Sequence, residues 1–123
     1  MCGIAGIVAT GRINIDAVPA MISRMGHRGP DSQGIWRSED ERVVFGHPRL
    51  AVIDKSEAGN QPMRDPTGQV TLVYNGDIYN YREIASRLRS EGVELRSKSD
   101  TEVLLQAYMC WGRNMLAELN GMF

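Results

Sequence analysis

Up to Tyr74 the apolar residues of this chain fall mostly in short strand-like runs, and beyond Asn80 they recur at helical spacing. Strands early and helices later predict an α+β fold, with helices layered on sheet. Residues 3–9 alternate small and β-branched side chains and read as a buried strand beginning at the N-terminus. Asp16 suits a helix N-cap, and Val18, Met21, Ile22 and Met25 then share one helical face, with Gly26 as a stop. Residues 33–37 and 42–46 form a hairpin across a polar link.

Further along, residues 50–53 read as a short apolar strand, Asp65-Pro66-Thr67-Gly68 as a tight turn and residues 69–74 as a β-branched strand. Asn80 with Glu83, and Ser99 with Glu102, have the spacing of capping boxes. They open helices lined by Ile84, Ala85 and Leu88, and by Val103, Leu104, Ala107, Tyr108 and Trp111. Gly92 closes the first of these, and residues 93–96 suggest a short strand after it. A short helix over residues 115–119 follows, and Met122-Phe123 looks like the beginning of another strand. A chain that stops as a strand starts is expected to be the front portion of a domain, with an exposed sheet edge that promotes association.

Composition narrows the functional classes. A length of 123 residues suits one domain at most. A formal net charge of -1 argues against a nucleic-acid or anionic-membrane surface, which needs concentrated Lys and Arg. The arginines between Arg82 and Lys98 are broken by Glu83, Glu91 and Glu94, as on a solvated helix face. No apolar run approaches bilayer length, and the first nine residues lack the basic region of a signal peptide, so a cytoplasmic location is the default expectation. Two Cys and two His, none at ligand spacing, predict neither a disulfide framework nor a metal site. Cys110 lies one heptad past Val103 and reads as a core thiol, and Trp111 as a core side chain.

Cys2 is the first candidate for chemistry. Methionine before a small residue is normally trimmed, which leaves Cys2 with a free α-amine. That amine has an ordinary pKa of about 8, close to that of a thiol, so it can act as the thiol's own general base. Position alone favours a plain buried cysteine. Arg49 offers a planar fork matched to a carboxylate, or a surface ion pair. Asn75-Gly76 can supply an amide and a backbone N–H to an oxyanion, or simply a β-turn. Asp100, at a helix start, can hold an ammonium group or serve as a cap.

These residues do not stand alone. Met1-Cys2-Gly3-Ile4-Ala5-Gly6, His27-Arg28-Gly29-Pro30-Asp31, Arg49-Leu50-Ala51-Val52-Ile53-Asp54, Asn60-Gln61-Pro62-Met63, Asn75-Gly76-Asp77-Ile78-Tyr79-Asn80-Tyr81 and Ser99-Asp100-Thr101-Glu102-Val103-Leu104 occur in one order. The chain thereby resembles, from residue 1 to residue 123, the glutaminase domain of the glutamine-dependent asparagine synthetase family. That family is a branch of the class II amidotransferases. The resemblance implies an N-terminal-nucleophile hydrolase fold, an αββα sandwich of antiparallel sheets, of which this chain would be the N-terminal portion.

By the same resemblance Cys2 attacks the side-chain amide of L-glutamine and forms a thioester. Asn75 and the Gly76 N–H stabilise the oxyanion, and Arg49 pairs with the substrate α-carboxylate. Asp100 binds the α-ammonium with help from the backbone near Gly76 and Asp77, and the backbone of Leu50, Ala51, Val52 and Ile53 lines the pocket. The loop from His27 to Asp31 shapes its wall. No cofactor is implied for this domain. ATP and Mg belong to a synthetase domain or subunit outside this chain, which uses the ammonia on aspartate by default, and a homodimer is possible. Asp77 stands where the family more often has Glu, Pro48 replaces a commoner polar or basic residue, and Ala51 replaces a frequent Ser. Two rival readings are a non-catalytic glutamine-binding module of the same fold and an N-terminal-nucleophile peptidase. The pairing of Arg49 with Asp100 disfavours the peptidase.

Overall fold

The computed structural model describes residues 2–52 and 55–123. The chain forms two compact units. One comprises residues up to Ala51 with 60–62 and 73–75, and the other comprises 52–59, 63–72 and 76–123. The elements are mixed α and β with small antiparallel sheets, in keeping with an α+β class.

The first unit is built on a three-stranded antiparallel sheet of order β1-β3-β2, with β1 at Ala5–Val8, β2 at Ser32–Arg37 and β3 at Val43–Arg49. Ala5 faces Gly46, Ile7 faces Val44, Trp36 faces Phe45 and Gly34 faces His47. The β2–β3 hairpin turns on Ser38, whose hydroxyl donates to Asp40 at 2.6 Å and accepts the Val43 N–H at 2.9 Å.

Side chains alternate across a strand, so β3 presents Val44 and Gly46 to one face and Phe45 and His47 to the other. Helix α1, Ala17–Arg24, lies on the first face. Val18, Ile22 and Val44 are buried together there, with Ala5, Ile7, Ile13 and Met25 packed around them. Gly46 permits this approach, since a Cβ on it would stand 2.6 Å from Ile22 Cγ2 and 2.7 Å from Val18 Cγ1. On the opposite face the Trp36 and Phe45 rings pack at 5.7 Å between centroids.

In the second unit β4, Met63–Arg64, pairs with β5, Thr71–Leu72, across the expected turn. Asp65 organises that turn: its carboxylate accepts N–H bonds from Thr67 at 2.8 Å and Val70 at 2.6 Å, and Gly68 takes a φ of 73°. Helix α2, Tyr81–Ser90, buries Ile84, Ala85 and Leu88. It ends in a Schellman arrangement, with Gly92 N–H donating to Arg89 O at 3.0 Å and Val93 N–H to Leu88 O at 3.0 Å, made possible by the Gly92 φ of 90°. Helix α3, Asp100–Trp111, packs on α2, and a 3-10 segment, Gly112–Glu118, follows it. Strand β7, Gly121–Met122, pairs with β6, Asp77–Ile78.

Several expected elements differ for one physical reason. Residues 50–52 form no strand, since Leu50 gives its N–H to Cys2 Sγ and Ala51 gives its own to Asp31. The strand expected over 69–74 shrinks to Thr71–Leu72, with Val70 N–H held by Asp65 and Tyr74 N–H by Gln61. Residues 93–96 form no strand, and Glu102 takes the N–H groups of Arg96 at 2.8 Å and Ser97 at 2.6 Å. Glu102 therefore does not close a capping box, although Ser99 caps α3 as expected, accepting Thr101 N–H at 3.1 Å. Asn80 does not cap α2 through its side chain. Its amide instead donates to Glu118 O at 2.8 Å and accepts Asn120 N–H at 2.9 Å, pinning the approach to β7.

Four side-chain placements also differ, one being Tyr108, which is expected on the core face of α3 and is 41% exposed. Met21 is exposed on α1 because only Val18 and Ile22 point at the sheet. Cys110 is exposed, not a core thiol. Trp111 lies under the Arg87 guanidinium at 4.3 Å and donates to Glu91 at 2.8 Å, a surface cation–π contact in place of a core position. Ile22→Ala is expected to lower stability to urea by about 2–5 kcal/mol, while Met21→Ala changes it by less than about 0.5 kcal/mol. Equal losses would put both residues against the sheet.

Candidate active site

The first unit assembles its polar groups where β1 and β3 run past their last ladder pair. Gly3 N–H donates to Pro48 O at 3.0 Å, which continues the β1–β3 pairing toward the N-terminus and delivers Cys2 to Leu50. Cys2 Sγ accepts the Leu50 N–H at 3.2 Å and faces Leu50 O at 3.5 Å.

The loop singled out between His27 and Asp31 frames this position. Arg28 Nε donates to Cys2 O at 3.0 Å. Asp31 N–H donates to Arg49 O at 3.0 Å, and its carboxylate accepts Ala51 N–H at 2.8 Å. Gly29 has no room for a side chain: a Cβ would stand 2.3 Å from Pro48 C and O and 2.5 Å from Arg49 N. The loop therefore lies directly against the backbone that carries Arg49 and Leu50.

Arg49 is the last residue of β3 rather than the residue before a strand, and it is buried. Its Nη1 donates to Asn60 Oδ1 at 2.6 Å, and the same oxygen accepts from Ser32 Oγ at 3.2 Å. No role for Asn60 follows from sequence alone; its place in the ordered motifs is the available signal. Asn75 is half-buried and ends an irregular stretch, residues 73–75, rather than following a strand.

The remaining candidates belong to the second unit. Gly76 is exposed, Asp77 opens β6 and is exposed, and Val52 is 71% exposed. Ile53 falls outside the described residues. Asp100 is buried at the first position of α3, where its Oδ2 accepts Ile78 N–H at 3.2 Å. The cap itself is Ser99, which leaves the Asp100 carboxylate for other work. Burial pushes the Asp100 pKa up, and Asp77 adds to the rise, against the opposing pull of the Ile78 and Thr101 N–H groups. Neither Asp77 nor Ser99 neutralises it.

Comparison with known proteins identifies the family. Residues 1–123 match the family described as Glutamine amidotransferase domain. The chain is 38% identical over its whole length to asparagine synthetase [glutamine-hydrolyzing] 3 of Bacillus subtilis, of which it covers 20%. It is 36% identical over its whole length to putative asparagine synthetase [glutamine-hydrolyzing] 2 of Methanocaldococcus jannaschii, covering 27% of it. Over 89% of its length it is 34% identical to amidase chry2 of Gibberella zeae, covering 16% of that protein. The chain thus spans about a quarter or less of the relatives it matches. No helix among the described residues is long and apolar enough to cross a membrane.

The raised Asp100 pKa has a signed consequence for stability. The folded state holds this proton more tightly than the unfolded chain, so this group makes folding less favourable as pH rises from the unfolded pKa through the folded one. Asp100→Asn keeps an acceptor for Ile78 N–H and removes the charge. Its melting temperature is expected to gain on that of the wild type as pH rises from about 4 to about 7. Parallel melting curves across that range would contradict the assignment.

Proposed function

We propose that this chain, which belongs to the glutamine amidotransferase domain family, releases ammonia from L-glutamine with Cys2 as its nucleophile. The observation that carries the reading is the seating of Cys2 Sγ on the Leu50 N–H, beside Arg49 at the end of β3. A terminal thiol held against a backbone donor needs only its own α-amine as base. The antiparallel β1-β3-β2 sheet with α1 on one face supports reading the fold as the αββα sandwich of N-terminal-nucleophile hydrolases.

The reaction balances with groups of this chain and water. The Cys2 α-amine takes the thiol proton as sulfur attacks the amide carbon of glutamine. The tetrahedral oxyanion is stabilised by the Asn75 side chain and the Gly76 N–H. Collapse breaks the C–N bond, and the α-ammonium returns its proton to the departing ammonia. Water then attacks the γ-glutamyl thioester, the amine takes its proton, and glutamate leaves as the thiol is restored. Arg49 takes the substrate α-carboxylate and Asp100 its α-ammonium, with the backbone near Gly76 and Asp77 assisting and the backbone of 50–53 along the substrate. Charges of opposite sign for the two ends of a zwitterion select free glutamine over a peptide amide.

The relatives named as glutamine-hydrolyzing asparagine synthetases are several times longer than this chain. The ammonia is accordingly read as feeding a synthetase segment that uses ATP and Mg, with aspartate as the default acceptor. Protein whose Met1 has been removed is expected to release ammonia from glutamine. Cys2→Ala, or retention of Met1, is expected to abolish release by removing the nucleophile or blocking its amine. Arg49→Lys is expected to raise the KM for glutamine by about tenfold or more, through loss of the bidentate fork. Glutamine binding by calorimetry without ammonia from trimmed protein would instead identify a binding module.

A further inference from the structure

The first unit contains a buried histidine that the reaction above does not use. His47 lies on the β3 face opposite α1 and is fully buried. Its Nε2 is 3.1 Å from Tyr74 O. A carbonyl can only accept, so Nε2 carries the hydrogen and donates. The ring is then the Nε2–H tautomer, and Nδ1 is a buried acceptor with no hydrogen-bond partner among the described residues. Burial lowers the His47 pKa, with nearby Arg49 acting in the same sense and the Tyr74 carbonyl opposing, so the ring is neutral at neutral pH.

A second side chain meets the same residue from the other side. Gln61 Oε1 accepts the Tyr74 N–H at 2.6 Å. Gln61 is itself fixed through Gly34, the cross-strand partner of His47, because a Cβ on Gly34 would lie 1.9 Å from Gln61 O. The sheet thus positions His47 directly and Gln61 through Gly34, and the two side chains take both backbone polar groups of Tyr74. The next residue is Asn75.

We propose that His47 and Gln61 are positioning residues for the glutaminase reaction: by holding Tyr74 N–H and C=O they set the backbone from which Asn75 reaches the oxyanion. This inference rests on the glutaminase reading and adds two residues to it. An apolar side chain would fill the His47 site without leaving a ring nitrogen unpaired, at a penalty comparable to a lost hydrogen bond. Retaining imidazole there is explained by the carbonyl it holds. Oxyanion donors act only if they are placed before charge develops, so an error of about 1 Å at Asn75 is enough to cost up to about a hundredfold in turnover. Substrate binding through Arg49 does not depend on that placement.

The test uses the full-length protein with Met1 removed. His47→Leu and Gln61→Met remove one clamp each; His47→Gln and Gln61→Glu restore a donor and an acceptor. Expected for the first pair is a fall in kcat of about tenfold to a hundredfold with the KM for glutamine within about threefold, and recovery of most of kcat in the second pair. The rate of Cys2 alkylation by iodoacetamide is expected to match the wild type in all four, showing an intact nucleophile site. A wild-type kcat in His47→Leu and Gln61→Met, or a loss of Cys2 alkylation in step with kcat, would overturn the positioning role while leaving the glutaminase reading in place. Absence of ammonia release from the wild type itself would remove both.

Discussion

Strand β3 is paired on both edges, and the first unit's candidate site is organised around it. A strand bonded on each side has little freedom to slide, because a one-residue slip would reverse every side chain between faces. Its register with β1 sets Val44 and Gly46 against α1, and so fixes Phe45 and His47 on the opposite face. The same register carries Arg49 to the strand end and brings Gly3 opposite Pro48, which leaves Cys2 beside Leu50. The hydrophobic packing of Val18 and Ile22 on Gly46 is therefore also what places the thiol.

What was legible in the sequence follows from how local each signal is. The β2–β3 hairpin, the Asp65–Gly68 turn, the Ile84–Ala85–Leu88 face and the Ser99 cap each depend on residues a few positions apart, and each appears as expected. The failures share a cause. At Leu50, Ala51, Val70, Tyr74 and Arg96, side chains between five and forty-eight residues away take backbone groups that a strand would have used. Side chains that bond to backbone compete with ladders, and nothing in strand propensity announces that competition when the partner is distant in sequence. Cys110 and Trp111 failed for a different reason. The early turns of α3 are buried on nearly all sides, so periodicity carried from Val103 did not identify the face that opens to solvent near the helix end.

The site residues were legible as an ordered set of motifs rather than one by one. Cys2, Arg49 and Asn75 each have an ordinary structural alternative, and what speaks for a shared role is the order in which their motifs occur. The contacts that support these residues are not legible in the same way. Asp31 on Ala51, Asn60 on Arg49, and Gln61 on Tyr74 are side-chain contacts of middle to long range, and only coordinates reveal them.

Asp100 shows why such a residue persists against local stability. A helix N-terminus favours a carboxylate, and two backbone N–H groups assist it, yet desolvation and the neighbouring Asp77 outweigh them. A residue chosen for folding alone would be an amide or a second hydroxyl cap at this position. A buried carboxylate whose ionised form is disfavoured gains most from a cationic partner, because the ligand's charge offsets the same desolvation that raised the pKa. The folded state without ligand accepts that penalty; on the proposed glutaminase function the α-ammonium of glutamine would relieve it, and substrate affinity and the local instability of Asp100 would then have a common origin.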